Sequence, residues 1–246
     1  MRRFQLTLAY DGSRYLGWQR LANSDRTIQG KLETALSRLL NEPIEVCGSG
    51  RTDAGVHAMG QVASFDSRTT LSCEELLTQL RQVLPEDIGA LSLREADPRF
   101  HARLSATGKT YRYRVWNSEA PCVFARKYVY VLPQPLELDA MQAAAGLLTG
   151  THDFRSFCAK KNDKKSTVRT VEQIEIVRQG EELWFTYSGD GFLYQMVRIM
   201  TGTLLEVGMG KRRPESMVSL LSAENRALAG YTVPAKGLCL MEVRYK

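Results

Sequence analysis

The sequence predicts an α+β fold with largely antiparallel sheets and helices packed on one face, and three observations lead there. Short stretches of period-two apolar alternation recur along the chain. Between them run longer stretches with apolar residues at helical spacing. The order strand, helix, strand, strand, helix, strand over the first half is followed by a similar mixture over the second. The expected organisation is two joined halves, 1–104 and 105–246. Halves meeting at a central cleft would place a site between them.

Phe4-Gln5-Leu6-Thr7-Leu8-Ala9-Tyr10 alternates large apolar with smaller or polar residues and reads as a strand, with Asp11-Gly12 as the turn after it. From Thr27, apolar residues at Ile28, Leu32, Ala35, Leu36, Leu39 and Leu40 keep helical spacing until Asn41 and Pro43 close the run. Ile44-Glu45-Val46 reads as a short strand entering a glycine-rich loop, and Gln61 to Phe65 as another strand. Ser72 followed by Glu75 is a capping box ahead of a helix carrying Leu76, Leu77, Leu80 and Val83. A strand through Leu91 and Leu93 ends this half.

The second half restarts with Tyr111-Arg112-Tyr113-Arg114-Val115-Trp116, an alternating strand with a basic face. A helix is expected from about Asp139 to Leu148 with Gly150 as its stop, then strands at Val171 to Val177 and Leu183 to Tyr187. An unusually apolar helix should run from about Phe192 to Val207, Pro214 should open another, and Leu238 to Tyr245 should form a closing strand. Lys160-Lys161-Asn162-Asp163-Lys164-Lys165-Ser166 reads as an exposed loop, either a phosphate contact or simply solvated.

A chain of 246 residues can bury its own core and needs no disulfide or structural metal to fold. With 43% hydrophobic and 24% charged residues it is neither membrane-like nor disordered in composition, and no apolar run approaches the roughly 20 residues of a membrane-spanning helix. Met1-Arg2-Arg3-Phe4 runs straight into the first strand, so no signal peptide is expected and a cytoplasmic location is. Lys and Arg number 33 against 27 Asp and Glu, a net charge of +6 that favours a polyanionic partner, nucleic acid first. The five cysteines are scattered without a C-x-x-C pair and only three histidines occur, so zinc chemistry is not expected.

The segment that bears most on chemistry is Gly48-Ser49-Gly50-Arg51-Thr52-Asp53-Ala54-Gly55-Val56-His57-Ala58. Its glycines let the backbone turn sharply and approach a ligand closely. Neither a Walker loop nor a dinucleotide fingerprint fits it, since a Lys-Ser/Thr ending and a following helix are both missing. It presents the carboxylate of Asp53 beside the cation of Arg51. Asp53 is either a catalytic carboxylate or a residue capping backbone N–H groups in a turn.

Between Phe192 and Leu205 the only charged residue is Arg198. A guanidinium on an apolar, buried helix requires a partner. Asp53 is one candidate; Glu206 or a backbone carbonyl is the other. In the strand from Tyr111, tyrosines share one face and arginines the other. That arrangement suits base stacking with phosphate contact, and equally a core face with a solvated one. His57 follows Asp53 by four residues, but no nucleophile completes a triad, so it reads as an orienting residue.

These residues, in order, closely resemble the tRNA pseudouridine synthase A (TruA) family. The loop Gly50-Arg51-Thr52-Asp53-Ala54-Gly55-Val56-His57-Ala58 resembles its signature. Tyr10-Asp11-Gly12 and Gly17-Trp18-Gln19 resemble its opening, and Thr27-Ile28-Gln29-Gly30 its first helix. Phe100-His101-Ala102-Arg103 and Lys109-Thr110-Tyr111-Arg112-Tyr113 are similar to its central strand region. Phe192-Leu193-Tyr194-Gln195-Met196-Val197-Arg198 through Gly202-Thr203 is similar to its active-site helix, and Gly237-Leu238 to the approach to its last strand. The resemblance covers almost the whole chain.

The resemblance implies the pseudouridine synthase fold: two ferredoxin/RRM-like α+β halves around a central active-site cleft. The first would carry the aspartate loop, the second the tyrosine strand and the arginine helix. It implies an isomerase that converts uridine to pseudouridine in the anticodon stem-loop of tRNA, at positions 38, 39 and 40 in the family. Asp53 would be catalytic. Tyr111 would pack against the uracil, Arg198 would pair with the catalytic aspartate, and Arg51 would guide the flipped base. No cofactor and no metal are implied; the partners are the anticodon arm of tRNA and a second copy in a homodimer, without a membrane. The same chemistry on ribosomal RNA, or a non-catalytic RNA-binding protein of this fold, would keep much of the same sequence.

Overall fold

The computed structural model describes residues 1–159 and 166–246. Most of the lysine-rich stretch noted above, residues 160–165, lies outside the described residues. In chain order the elements are β1 (Arg2–Tyr10), α1 (Ile28–Leu40), β2 (Cys47–Gly48), β3 (His57–Ser67), α2 (Cys73–Val83), β4 (Ile88–Glu95) and β5 (Ala106–Trp116). There follow β6 (Tyr130–Val131), α3 (Leu138–Gly146), β7 (Gly150–Asp153), β8 (Val168–Gln179), β9 (Glu182–Gly189), α4 (Met196–Gly208), α5 (Ser216–Ala223) and β10 (Leu238–Tyr245). The fold is mixed α+β with mostly antiparallel strand pairs. Two units are distinguished: residues 1–107 with 239–246, and residues 108–238.

In the first unit the strand order is β4-β1-β3-β10, with β2 on the flank of β3. The alternation of β1 is realised directly: Phe4, Leu6, Leu8 and Tyr10 are all buried, and Phe4 stacks on Phe65, the residue opposite it, with ring centroids 5.2 Å apart. β10 runs parallel to β3, placing Cys239 opposite His57 and Leu240 opposite Ala58. Helix α1 begins where the Thr27 hydroxyl accepts from Gly30 N–H and ends at Asn41 in the left-handed region. The reciprocal Ser72–Glu75 bonds predicted from sequence open α2.

Two local departures have physical causes. Ile44-Glu45-Val46 is not a strand. Ile44 N–H donates to Ser37 Oγ, Val46 N–H to Glu33 Oε1, and Val46 O accepts from Gln29 Nε2, so side chains of α1 take the bonds a neighbouring strand would make. Strand pairing begins only at Cys47. In β4, the register passes from Ser92 opposite Thr7 to Ala90 opposite Leu8, leaving Leu91 as an extra bulged residue, 47% exposed despite its place in an apolar pattern.

In the second unit the order is β5-β9-β8-β7, with β6 parallel to β5. Tyr111, Tyr113 and Val115 lie opposite Tyr187, Phe185 and Leu183, and all six are buried. Helix α4 is buried nearly all round, as its composition requires, but it starts at Met196 rather than Phe192. Gln195 takes the left-handed conformation, φ 59°, and separates the helix from residues 191–194. Gly202 lies so close to the Tyr231 carbonyl that a Cβ there would sit 1.9 Å from the oxygen.

Candidate active site

The loop carrying Asp53 is held by a chain of buried hydrogen bonds. Gln61 Oε1 accepts from Ser49 Oγ at 2.6 Å and from Val62 N–H at 3.1 Å, which fixes the orientation of the amide. Its Nε2 therefore donates, to the Gly50 carbonyl at 3.1 Å and to the Tyr10 hydroxyl at 3.4 Å. Tyr10 in turn meets Thr52 Oγ1 at 2.9 Å, hydroxyl to hydroxyl. Ser49, Gln61, Tyr10 and Thr52 are all buried. Burial also pushes the Tyr10 hydroxyl well above its ordinary range, so it stays protonated.

Backbone contacts hold the loop from the other side. Trp18 N–H donates to Thr52 O, Gly55 N–H to Tyr15 O, and Val56 N–H to Asp53 O. Gly17, at φ +101°, lies against the Thr52–Ala54 backbone, where a Cβ would come within 2.7 Å of Thr52 O. His57 Nδ1 accepts from Gly12 N–H at 3.1 Å and lies 3.1 Å from Asp11 Oδ1. His57 thus acts on the β1 turn, consistent with an orienting role. Within this frame Asp53 is half-buried and Arg51 exposed, two residues apart on a loop whose ends are both fixed. A carboxylate presented in this way can act on a ligand without the loop having to reorganise.

The other two predicted site residues lie in the second unit. Tyr111, on β5, is buried and meets Phe192 edge-on, with centroids 5.4 Å apart at 87°. Arg198 lies in the first turn of α4, half-buried, and its Nε donates to Val233 O at 2.8 Å. Glu206, the acidic alternative on the same helix, is instead bridged by Arg212 at 3.0 Å. Tyr113, two residues after Tyr111, donates to Pro234 O at 2.7 Å. Burial raises its hydroxyl far above the ordinary range while the Arg198 charge opposes that rise. Arg112 stacks over Trp184 at 4.5 Å and Arg114 makes a two-pronged pair with Glu182 at 2.6 and 2.7 Å, so the arginine face of β5 is engaged within the sheet.

Gln61 is the residue that sequence reasoning missed. It read only as the start of a strand, yet it lies inside β3, and a fully buried amide within a strand with neighbours on both sides must bond whatever lies beside it. Among the described residues, no three His, Cys, Asp or Glu side chains gather so as to hold a metal ion. Among them, too, no helix is long and apolar enough to cross a membrane.

A family model described as tRNA pseudouridine synthase matches residues 7–104 and 144–246, which take in Arg51, Asp53 and Arg198 and leave out Tyr111. The chain is 48% identical over 242 residues to the tRNA pseudouridine synthase A of Moorella thermoacetica, covering 98% of each. It is 45% identical to that of Brevibacillus brevis over the full length of both, and 46% identical to that of Geobacillus kaustophilus across 99% of this chain and 95% of the other. A chain from a solved Cbf5-Nop10-Gar1 complex matches 82% of this chain with 45% of its own, at 15% identity and a TM-score of 0.36, a likeness too slight to bear on function.

Proposed function

This chain belongs to the tRNA pseudouridine synthase family, and from that membership we infer that it isomerises uridine to pseudouridine in tRNA. The finer reading is that its targets lie in the anticodon stem-loop, that Asp53 is the catalytic residue, and that Arg51, Tyr111 and Arg198 bind the substrate. It works without a cofactor, as a homodimer in the cytoplasm.

The chemistry suits a carboxylate on a rigid loop. The C1′–N1 glycosidic bond breaks, the uracil turns, C1′ joins C5, and the C5 proton is lost while N1 gains one. The product is an isomer, so no oxidant, reductant or group donor enters. A carboxylate beside the ribose can attack C1′ or remove a proton from the sugar. A target uridine stacked in an RNA arm must first be extruded, at a cost of a few kcal/mol. Arg51, exposed beside Asp53, has the reach and charge to meet RNA phosphate or the space the base leaves. Tyr111, in edge contact with Phe192, offers an aromatic surface against which a detached uracil can rest.

The observation that supports this reading most directly is the buried chain from Ser49 and Gln61 through Tyr10 to Thr52, in which three polar side chains hold the residue before Asp53. The test is tritium release from tRNA carrying uridine labelled at C5. Release from tRNA transcripts that ceases when the uridines of the anticodon arm are replaced is the expected result. Release from ribosomal RNA alone would assign another substrate, and RNA binding without release would leave a binding protein.

A further inference from the structure

An open groove of about 540 Å³ lies in the unit of residues 108–238. Tyr130 and Tyr231 line it with half-buried rings, and their hydroxyls are hydrogen-bonded to each other. Leu132 and Met209 supply apolar surface, while Gln134 and Lys211 are exposed at its rim. The volume falls in the range of small-ligand sites, and the lining combines aromatic faces, one amide and one cation.

Each part is carried by a fixed element. Tyr130 belongs to β6 and pairs with Val115 of β5. The Tyr231 backbone is pressed against Gly202 of α4. Lys211 follows Gly210, which at φ +71° closes α4, and Lys211 N–H bonds to Glu206 O at 2.9 Å. The carboxylate of Glu206 is bridged by Arg212, so the nearest acidic group on α4 is already neutralised while Lys211 points outward. Helix α4 spans 13 residues, so its Lys211 end is roughly 20 Å from the Arg198 end. The Lys211 rim of the groove is thus about a helix length from Arg198, while its tyrosines lie nearer, Tyr231 against Gly202 and both within electrostatic reach of Tyr113.

We propose that this groove is a second RNA subsite, which takes one unpaired nucleotide of the tRNA other than the reacting uridine, its base against the tyrosine rings and its phosphate at Lys211. The proposal rests on the reading that tRNA is the substrate. Aromatic faces accept any base, and a lysine at the rim acts as a point charge for phosphate. An acidic small molecule would call for more cations than Lys211 alone. A protein partner would gain little from an amide and an ammonium placed at the mouth.

The test uses the full-length protein and full-length tRNA. Lys211→Glu and Gln134→Ala change exposed side chains, so the fold is kept. Lys211→Glu is expected to raise Kd and KM about tenfold with kcat unchanged, and to reduce the slope of log K against log salt by about 0.7. Lys211→Arg should restore both. Ultraviolet crosslinking of the wild-type complex should join RNA to a peptide containing Tyr130 or Tyr231. Unchanged affinity and salt slope in Lys211→Glu would overturn the proposal, as would loss of affinity accompanied by a change of oligomeric mass, which would mark a protein interface. Wild-type turnover on tRNA is measured alongside, so that failure of the substrate reading and failure of the groove are told apart.

Discussion

Tyr10 and Thr52 meet hydroxyl to hydroxyl at 2.9 Å in a buried setting, and the next residue after Thr52 is Asp53. Tyr10→Phe removes this bond and the acceptor for Gln61 while keeping the ring beside Trp18. The variant is expected to lose about 1 kcal/mol of stability in urea unfolding. Its kcat should fall while its tRNA affinity stays near wild type. A variant that loses stability yet keeps full turnover would show that the bond braces the fold and not the loop.

Asp53→Asn is close to isosteric and sits on a loop held mainly by backbone bonds and by the Gln61 and Tyr10 side chains. Tritium release should drop by about a thousandfold or more. Filter binding should show tRNA affinity changed by less than about threefold. Near-normal release would remove Asp53 from the chemistry.

Arg198→Met keeps much of the side chain's length and apolar packing but loses the charge and the bond from Nε to Val233 O. Turnover should fall steeply, and stability by about 1–2 kcal/mol through the unsatisfied carbonyl. If neither quantity moves, the proposed substrate role of Arg198 is wrong.

Gly202→Ala tests the approach of α4 to the Tyr231 backbone. A methyl group 1.9 Å from a carbonyl oxygen cannot be accommodated without moving the helix, and a loss of about 3 kcal/mol or more is expected. Gly146→Ala is the matched control, because at the end of α3 a Cβ meets nothing within 4 Å. It should stabilise by up to about 1 kcal/mol. Equal thermal shifts for the two would contradict this account of α4 packing.

Glu182 gives a pH dependence of known sign. Burial pushes its carboxyl up, but the two-pronged bond from Arg114 and the bond from Trp184 Nε1 outweigh that and hold it below the usual range. A carboxyl whose folded value is depressed adds stability above its unfolded value near pH 4.3, and that stability disappears as pH falls through the folded value. Glu182→Gln should therefore be less stable than wild type at pH 7. The difference should shrink below about pH 4, as read by urea midpoints at each pH.

Where one rule acts alone, the sequence and the structure coincide. The β1 alternation and the α2 capping box each follow from a local pattern and stand where expected, and the apolar α4 forms as expected though four residues later, at Met196. Misreadings arise where a distant group takes over a local one. Ile44–Val46 is strand-like in composition, but its backbone is bonded to the side chains of Ser37, Glu33 and Gln29 on α1. Leu91 fits an apolar strand, but a bulge turns it to solvent. The candidate site divides in the same way. Asp53 and Arg51 were visible because glycines and charges cluster in a few residues. Gln61 was not, because its partners Ser49, Gly50 and Tyr10 come together only when β1 and β3 pair.

The parallel pairing of β10 with β3 has a consequence for synthesis on the ribosome. Residues 1–107 emerge first and can form β1, α1, β3, α2 and β4, but the partner of His57 and Ala58 does not exist until residue 239 has been made. Translation must therefore pass through the whole of 108–238 before the strand next to the Asp53 loop is covered. Contacts this distant in sequence form late, and until then β3 keeps its edge open at His57 and Ala58, where other chains can pair. A chain whose synthesis stops in the second unit has an aspartate loop that borders an unfinished sheet, because this sheet waits for residues 239–246.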